Sequence, residues 1–136
     1  MKLSFYPRIS IVTPSFNQGD FIEETITSIL SQKYPNLEYI VIDGGSTDRT
    51  ISILEKYSSQ LFFWVSEKDN GQSDALNKGF KVATGDICSY LNSDDLYINN
   101  SLWEVANAFN KKKFSWLSSD VICGETLDSN DFFQHK

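Results

Sequence analysis

Short apolar runs alternate with segments of helical periodicity along most of this chain. Four runs are rich in β-branched and aromatic residues and end at turn-forming residues, which is typical of buried β-strands. They cover residues 9–13, 37–42, 61–66 and 87–91. Parallel strands need crossover connections, and helices usually supply them. The alternation therefore predicts an α/β fold with a mostly parallel central sheet flanked by helices.

The segments between the strands carry the helical signals. Asp20 and Glu23 have the spacing of a capping box, and apolar residues follow them at helical intervals. Ser46 or Thr47 is the expected N-cap of the second helix, with Asp48 in its first turn. Further helices are expected over residues 47–57, 73–83 and 102–109, and two more strands over residues 114–117 and 121–123.

Length and composition describe one soluble domain, residues 1–136. The chain is 40% hydrophobic, which is enough for a continuous core, and Leu76 and Phe80 are expected core residues one helical turn apart. Cys88 and Cys123 lie in separate apolar runs without CxxC spacing. They are therefore expected to be buried, reduced thiols, which fits a cytoplasmic protein.

Charge and hydropathy limit the partners. The net charge is −6 and no long basic run is present, which argues against nucleic acid as a partner. No apolar run reaches 18 residues, and the first residues do not resemble a signal peptide. The three lysines at 111–113 leave peripheral contact with an anionic membrane open, although they more simply complement a helix dipole.

Acidic and polar residues follow the predicted strands, where ligands bind in open α/β sheets. Acidic groups gathered at one rim repel one another unless a cation is bound, which predicts a site for a metal and a nucleotide. Asp94 and Asp95 are the candidates, one for ribose hydroxyls and the other for Mg²⁺ or Mn²⁺ on a diphosphate. The alternative is a polar turn ahead of a helix.

Two other segments contain candidate binding residues. Asp43 could accept the imide proton of a uracil or thymine ring, or the amino and imide protons of guanine, with Phe16 packing nearby. Alternatively, it could simply start the turn before two glycines. The segment 71–79 begins a helix whose free amide groups suit phosphate or sugar hydroxyls. Gln72, Asn77 and Lys78 are its candidate side chains.

Four motifs in order resemble the N-terminal part of inverting family 2 glycosyltransferases. They are Val-Thr-Pro-Ser-Phe-Asn, Val-Ile-Asp-Gly-Gly-Ser-Thr-Asp, Asp-Asn-Gly-Gln-Ser-Asp-Ala-Leu-Asn-Lys-Gly and Leu-Asn-Ser-Asp-Asp. The resemblance extends over residues 9–97. It implies a GT-A fold and transfer of a sugar from a nucleoside diphosphate donor.

The resemblance also implies roles for particular residues. Pro14 and Phe16 would lie near the nucleobase, and Asp43 would bind a ring nitrogen. Asp94 would meet the ribose and Asp95 would ligate the metal, with Asp94 a second candidate ligand. The acidic motif begins with Asn where the family often has Asp, so the division of work between the two carboxylates stays open.

For the whole reaction, the resemblance implies Mn²⁺ or Mg²⁺ and a UDP-, GDP- or dTDP-linked sugar. The acceptor would be a saccharide or glycolipid, in polysaccharide or glycoconjugate synthesis at the inner face of the membrane. The general base is expected beyond residue 136, with most of the acceptor-binding region. Glu125, Asp128 and Asp131 come too early in the chain for that role, and His135 is too close to its end.

Three other functions have sequence requirements that can be compared with these residues. A non-catalytic nucleotide-sugar-binding module has the same motifs without the base. A phospho-acceptor receiver domain needs an acidic pair after the first strand, where this chain has Thr-Pro-Ser. A nucleotidyltransferase needs a basic, glycine-rich loop there, and Thr-Pro-Ser-Phe-Asn-Gln-Gly is not one.

Overall fold

The computed structural model describes residues 5–112, and the α/β alternation expected from the sequence is confirmed there. The strands are Ile9–Ser15 (β1), Leu37–Asp43 (β2), Phe63–Ser66 (β3) and Ile87–Tyr90 (β4). The helices are Ile22–Leu30 (α1), Thr50–Tyr57 (α2), Gln72–Val82 (α3) and Ser101–Lys112 (α4). The strands expected over 114–117 and 121–123, together with Lys113 and Cys123, lie outside the described residues.

The four strands form one parallel sheet in the order β3-β2-β1-β4. β1 pairs with β2 from Ile9 opposite Leu37 to Ser15 opposite Asp43. The register continues to β3, where Ser66 lies opposite Asp43. Because all four strands run the same way, the segments that follow them meet at one edge of the sheet, and the candidate site lies there.

Helices cover both faces of the sheet. On one face, a large core packs β1 and β2 against α1, α2 and α4, with Ile11, Ile26, Val41, Leu54 and Leu102 among its buried residues. On the other face, Val12, Ile40, Ile42 and Ala75 form a smaller core under α3. The inner strands alternate between the two cores, so both of their faces are apolar, as expected of a covered parallel sheet.

Gly79 brings α3 close to β1. A Cβ atom at this position would overlap Cγ1 of Val12, because the two non-bonded carbons would be far inside van der Waals contact. We expect Gly79→Ala to lower the free energy of unfolding by about 1–3 kcal/mol, because this overpacking outweighs the better helix propensity of alanine. Urea unfolding would measure it. Val12→Ala in the same background removes the clashing methyl groups and should recover part of the loss; a more stable Gly79→Ala protein would contradict the packing argument.

A buried carboxylate ties the sheet together at the end opposite the candidate site. Glu38 is 3% exposed and accepts a hydrogen bond from Ser10 Oγ at 2.6 Å. It also accepts bonds from Thr84 N at 2.9 Å and Thr84 Oγ1 at 2.8 Å. Ser10 Oγ in turn accepts a bond from Gly85 N at 2.9 Å. The network joins β1 and β2 to the connection between α3 and β4.

Glu38 makes the stability of the fold depend on pH. Burial raises the pKa of Glu38, but the hydrogen bonds from Ser10 and Thr84 outweigh burial and hold the pKa below its ordinary value. This contribution is present above the unfolded pKa of about 4.3 and is lost as the pH falls through the lower folded pKa. We expect Glu38→Gln to lose about 1–2 kcal/mol at neutral pH, and this deficit to shrink below about pH 4. Urea unfolding from pH 7 to pH 3 measures it. The exposed Glu55→Gln is the control, and a deficit that stays constant with pH would contradict the assignment.

The capping box expected at the start of α1 is wrong. Phe21 is the N-cap residue and no side chain caps it. Asp20 instead pairs with Arg49 at 2.8 Å. Glu23 pairs with Lys56, and both partners belong to the segment that forms or precedes α2. These acidic side chains form tertiary contacts, and spacing along one helix does not reveal such contacts.

The start of α2 also differs from the expectation. The helix begins at Thr50, three residues after the expected start, so neither Ser46 nor Thr47 is its N-cap. The Asp48 carboxylate accepts bonds from Thr50 N and Gly19 N, each at 2.9 Å. Asp48 therefore satisfies a free amide at the helix start and also holds the loop before α1.

Two residues expected in the core are exposed. Cys88 is a free, exposed cysteine on β4, which is an edge strand of the described sheet. Phe80 is 38% exposed on α3, whereas Leu76 packs against the smaller core as expected. Between residues 5 and 112, none of the helices is long and apolar enough to cross a membrane.

Candidate functional site

A cleft of about 800 Å³ opens at the carboxyl edge of the sheet. Its walls come from the segments after all four strands and from the first turn of α3. The lining residues are Pro14, Ser15, Phe16, Gln18, Gly44, Gly45, Lys68, Asp69, Gly71, Gln72, Ala75, Asn92, Ser93 and Asp94. The position is the one expected for a ligand in an open α/β sheet, and the volume suits a nucleotide-sized molecule.

Half of the predicted site residues line this cleft. Pro14, Phe16, Gln72 and Asp94 do so, and they come from three different segments of the chain. Phe16 is 58% exposed, so its ring offers a flat apolar surface at the mouth of the cleft. The other four predicted residues, Asp43, Asn77, Lys78 and Asp95, are not among the lining residues.

Asp43 lies behind the wall of the cleft. Asp43 is 0% exposed, and its carboxylate accepts four hydrogen bonds, three from the loop after β2 and one from the end of β3. Oδ2 accepts from Gly45 N at 3.1 Å, Ser46 N at 2.8 Å and Ser66 Oγ at 2.6 Å, while Oδ1 accepts from Ser46 Oγ at 2.5 Å. A carboxylate with this many internal donors shapes the loop after β2 and joins it to the end of β3.

The loop after β1 is tied to the same structure. Asn17 has a positive φ of 50°, which asparagine tolerates better than most residues. Its backbone N–H donates to Ser46 Oγ at 2.7 Å, and its side-chain Oδ1 accepts from Thr47 N at 2.9 Å. Ser46 and Thr47, expected as helix caps, thus hold the loop that carries Phe16.

Lys78 and Asn77 lie away from the cleft. The ammonium group of Lys78 is 3.1 Å from Glu67 Oε1 and 3.5 Å from Asp74 Oδ2. The bond with Glu67 is the main reason that the pKa of Lys78 is raised. Asn77 is exposed on the same helix. Within residues 5–112, Lys68 is the lysine that lines the cleft.

Hydrogen bonds order the acidic segment after β4. Gln72 Nε2 donates to Asn92 Oδ1 at 2.7 Å, and Asn92 Nδ2 donates to Asp95 Oδ2 at 3.1 Å. Thr25 Oγ1 donates to the backbone oxygens of Ser93 and Asp95. Asn92, which departs from the usual acidic motif, therefore orients the Asp95 carboxylate and links it to α3.

This segment offers hard oxygen ligands for a divalent cation. Asp94 and Asp95 are exposed, and carboxylate oxygens are the donors that Mg²⁺ and Mn²⁺ prefer. Among residues 5–112, no group of three or more His, Cys, Asp or Glu side chains is placed to hold a metal ion. The two carboxylates thus fit a cation that takes its remaining ligands from phosphate oxygens and water.

Six polar residues that line the cleft were not among the predicted site residues: Ser15, Gln18, Lys68, Asp69, Asn92 and Ser93. Asp69 follows β3, just as Asp94 follows β4, and Asp43 is the last residue of β2. The position after each strand was the signal that could have singled out Asp69. Ser15 carries no such signal, because a serine at a strand end is common and its significance depends on whether its hydroxyl is paired.

The hydroxyl of Ser15 is buried and unpaired. Ser15 is 6% exposed, and its Oγ is the buried side-chain polar atom without a hydrogen-bond partner in the described part of the chain. We expect Ser15→Ala to raise the free energy of unfolding by about 1 kcal/mol, since it removes an unpaired hydroxyl from the interior. Thermal or urea unfolding measures it. Ser10→Ala is the matched control and should lose stability, because Ser10 Oγ is bonded to both Glu38 and Gly85. A destabilised Ser15→Ala protein would show that the hydroxyl has a partner in solution.

Comparison with known proteins gives the class of this fold and site. Residues 1–349 of S. aureus TarS in complex with UDP-GlcNAc superpose with a TM-score of 0.71 at 27% identity, over 78% of this chain and 32% of that one. A mannosyltransferase from Pyrobaculum calidifontis in complex with GDP-Man and Mn²⁺ gives a TM-score of 0.65 at 32% identity, over 77% of this chain and 32% of that one. The fold is the GT-A fold of glycosyltransferases.

The sequence places the chain in one family of that class. The sequence model of glycosyl transferase family 2 matches residues 10–131, and the chain belongs to this family. An uncharacterized glycosyltransferase of Rickettsia typhi is 38% identical over 130 residues, which are 93% of this chain and 39% of that protein. This chain therefore spans about two fifths of the length of that relative.

Proposed function

We propose that this chain forms the donor-binding part of a metal-dependent glycosyltransferase, and that its cleft holds a nucleoside diphosphate sugar. The observation that carries the proposal is the cleft itself. It places the exposed Asp94 carboxylate after β4 and the exposed Phe16 ring after β1 in one cavity at the carboxyl edge of the sheet. The TarS and mannosyltransferase structures hold UDP-GlcNAc and GDP-Man respectively, and these ligands support the same donor class here.

The two ends of the cleft suit the two ends of such a donor. Asp94 and Asp95 would hold Mn²⁺ or Mg²⁺, which would stabilise negative charge on the departing diphosphate. Asn92 orients Asp95, and Gln72 fixes Asn92 from the start of α3. Phe16 provides a face for stacking of the nucleobase. The diphosphate would thus lie on the β4 side and the nucleoside on the side of β1, β2 and β3.

Transfer needs a base that deprotonates the acceptor hydroxyl. We propose inversion at the sugar carbon, with a carboxylate beyond residue 136 as the base. The acceptor would be a saccharide or glycolipid in polysaccharide or glycoconjugate assembly on the cytoplasmic side of a membrane. Binding of the donor and activation of its leaving group depend on the residues of the cleft. Proton removal from the acceptor is a separate step and can be lost independently.

Calorimetric titration of UDP, GDP and dTDP into this chain, each with and without Mn²⁺, tests the proposal. We expect at least one of them to bind, and its affinity to rise when Mn²⁺ is present, because the carboxylates and the diphosphate share the cation. If UDP, GDP and dTDP all fail to bind in the presence of Mn²⁺, the proposal is overturned. Metal-independent binding would overturn the role given to Asp94 and Asp95.

A further inference from the structure

Asp69 is, with Asp94, one of the two carboxylate residues that line the cleft. It follows β3 and lines the cleft, and it is partly exposed there. Its Oδ1 accepts a bond from Gly71 N at 2.9 Å. Among residues 5–112, its Oδ2 has neither a hydrogen-bond donor nor an ion-pair partner. Asp69 therefore retains an acceptor for a ligand, whereas both oxygens of Asp43 are occupied internally.

Gly44 makes the space that the Asp69 carboxylate occupies. A Cβ atom at Gly44 would lie 3.0 Å from both Asp69 carboxylate oxygens and 3.1 Å from their carbon. The backbone N–H of Gly44 is bonded to Ser15 O at 2.8 Å, which fixes this loop against β1. Since no side chain projects from position 44, the carboxylate from the loop after β3 reaches the wall of the cleft beside β2.

The order of the strands tells which part of the donor Asp69 would meet. β4 and β3 lie at opposite edges of the described sheet, and they lead into Asp94 and Asp69 respectively. Three strand spacings of roughly 4.8 Å separate these edges. With the metal and diphosphate beside Asp94, the nucleobase is the part of the donor that extends farthest toward Asp69. This step rests on the function proposed above.

We propose that Asp69 selects the nucleobase by accepting a hydrogen bond from a ring N–H. Uracil and thymine present such a proton at N3 and guanine at N1, each next to a ring carbonyl. Cytosine and adenine have an unprotonated nitrogen at the corresponding position, and its lone pair would face the carboxylate. Asp69 thus favours uracil, thymine and guanine nucleotides over cytosine and adenine nucleotides, and Gly44 is required because it leaves room for this carboxylate.

Titration of UDP and CDP in the presence of Mn²⁺ tests the proposal, with GDP and ADP as a second pair. The two nucleotides of a pair share the ribose and the diphosphate, so their affinity ratio reports on the base alone. In the unsubstituted protein, we expect UDP to bind at least tenfold more tightly than CDP, or GDP to bind at least tenfold more tightly than ADP, or both. Asp69→Asn should lower the affinity for the preferred nucleotide about tenfold, because a hydrogen bond to a charged acceptor is replaced by one to a neutral amide. The affinity for CDP or ADP should stay the same or rise, since the asparagine amide can donate to an unprotonated ring nitrogen.

A relocation variant separates the carboxylate from the loop that carries it. Asp69→Ala should remove the base preference, and Gly44→Asp in that background should restore part of it from the neighbouring loop. Glu67→Gln is the matched control and should leave the affinity ratio unchanged, since it removes one negative charge from the same loop at an exposed position that does not line the cleft.

The outcomes of these titrations distinguish the proposed role of Asp69 from the proposed donor-binding function. An affinity ratio that is the same in the unsubstituted protein and Asp69→Asn would overturn the role of Asp69, as would equal affinities in both pairs. In either case, metal-dependent binding would still support the proposed function. If no nucleoside diphosphate binds in the presence of Mn²⁺, the proposed function fails, and the role of Asp69 fails with it.

Discussion

Asp94→Asn is expected to weaken Mn²⁺-dependent binding of the preferred nucleoside diphosphate on the order of 100-fold, or about 2.7 kcal/mol. Asp94 lines the cleft and is exposed, and it has no hydrogen-bond partner among the described residues. A neutral amide is a much poorer ligand for Mn²⁺ than a carboxylate, so the loss falls on binding. The free energy of unfolding should change by less than about 0.5 kcal/mol, as for most exposed substitutions.

The measurement is calorimetry with and without Mn²⁺, together with urea unfolding of the same protein. Asp20→Asn is the matched control, because it removes one negative charge from an exposed position that does not line the cleft. It should bind as the unsubstituted protein does. Equal weakening by both variants would mean that net charge, and not a metal ligand, controls binding. An unchanged affinity of Asp94→Asn would remove Asp94 from the metal site.

Asp43→Ala is expected to lower the free energy of unfolding by about 3 kcal/mol. The substitution leaves two backbone N–H groups and two serine hydroxyls without their acceptor in a partly buried setting. Each unpaired buried group costs about 1–3 kcal/mol, and relaxation of the loop recovers part of the sum. Urea unfolding at neutral pH measures the loss. A loss below about 1 kcal/mol would show that the four bonds do little for stability.

Asp43→Asn is the informative companion to this variant. An asparagine can place its oxygen where Oδ2 accepts three bonds and its amide where Oδ1 meets Ser46 Oγ, which can accept as well as donate. We expect a loss of about 1 kcal/mol and unchanged nucleotide affinity. If the Asp43→Asn protein folds but has lost its preference between nucleobases, that result would instead support the direct contact between Asp43 and the nucleobase that the family resemblance implies.

The fold followed closely from the sequence because local and global signals agree. The Ile- and Val-rich runs of β1 and β2 are buried on both faces, so they stand out without any knowledge of their partners. The errors lie where a side chain finds a distant partner. Asp20 and Glu23 have the spacing of a cap, yet they bind Arg49 and Lys56 from the next helical segment. Cys88 lies in an apolar run, yet its strand is at an edge of the described sheet.

The sequence predicted the position of the cleft more reliably than it predicted which side chains line it. Parallel strands bring their carboxyl ends together, so the residues after them had to share one edge of the sheet. Pro14, Phe16, Gln72 and Asp94 do line the cleft. Whether a given side chain reaches the cavity depends on its direction and on competing partners.

The difference between what the sequence determined and what only the tertiary structure decided is clearest at Lys78, Asp43 and Asp69. The sequence alone determined the alternation of strands and helices, the edge where the site lies and the family motifs, because all of these depend on residue type and on order along the chain. Only the tertiary structure decided that Lys78 binds Glu67 and Asp74, that Asp43 is occupied internally, and that Asp69 remains open beside Gly44. The physical reason is that a polar group binds its nearest available partner, and some of the neighbours that decide these cases lie on segments that come together only in the folded chain. They are Glu67 for Lys78, Ser66 for Asp43 and Gly44 for Asp69.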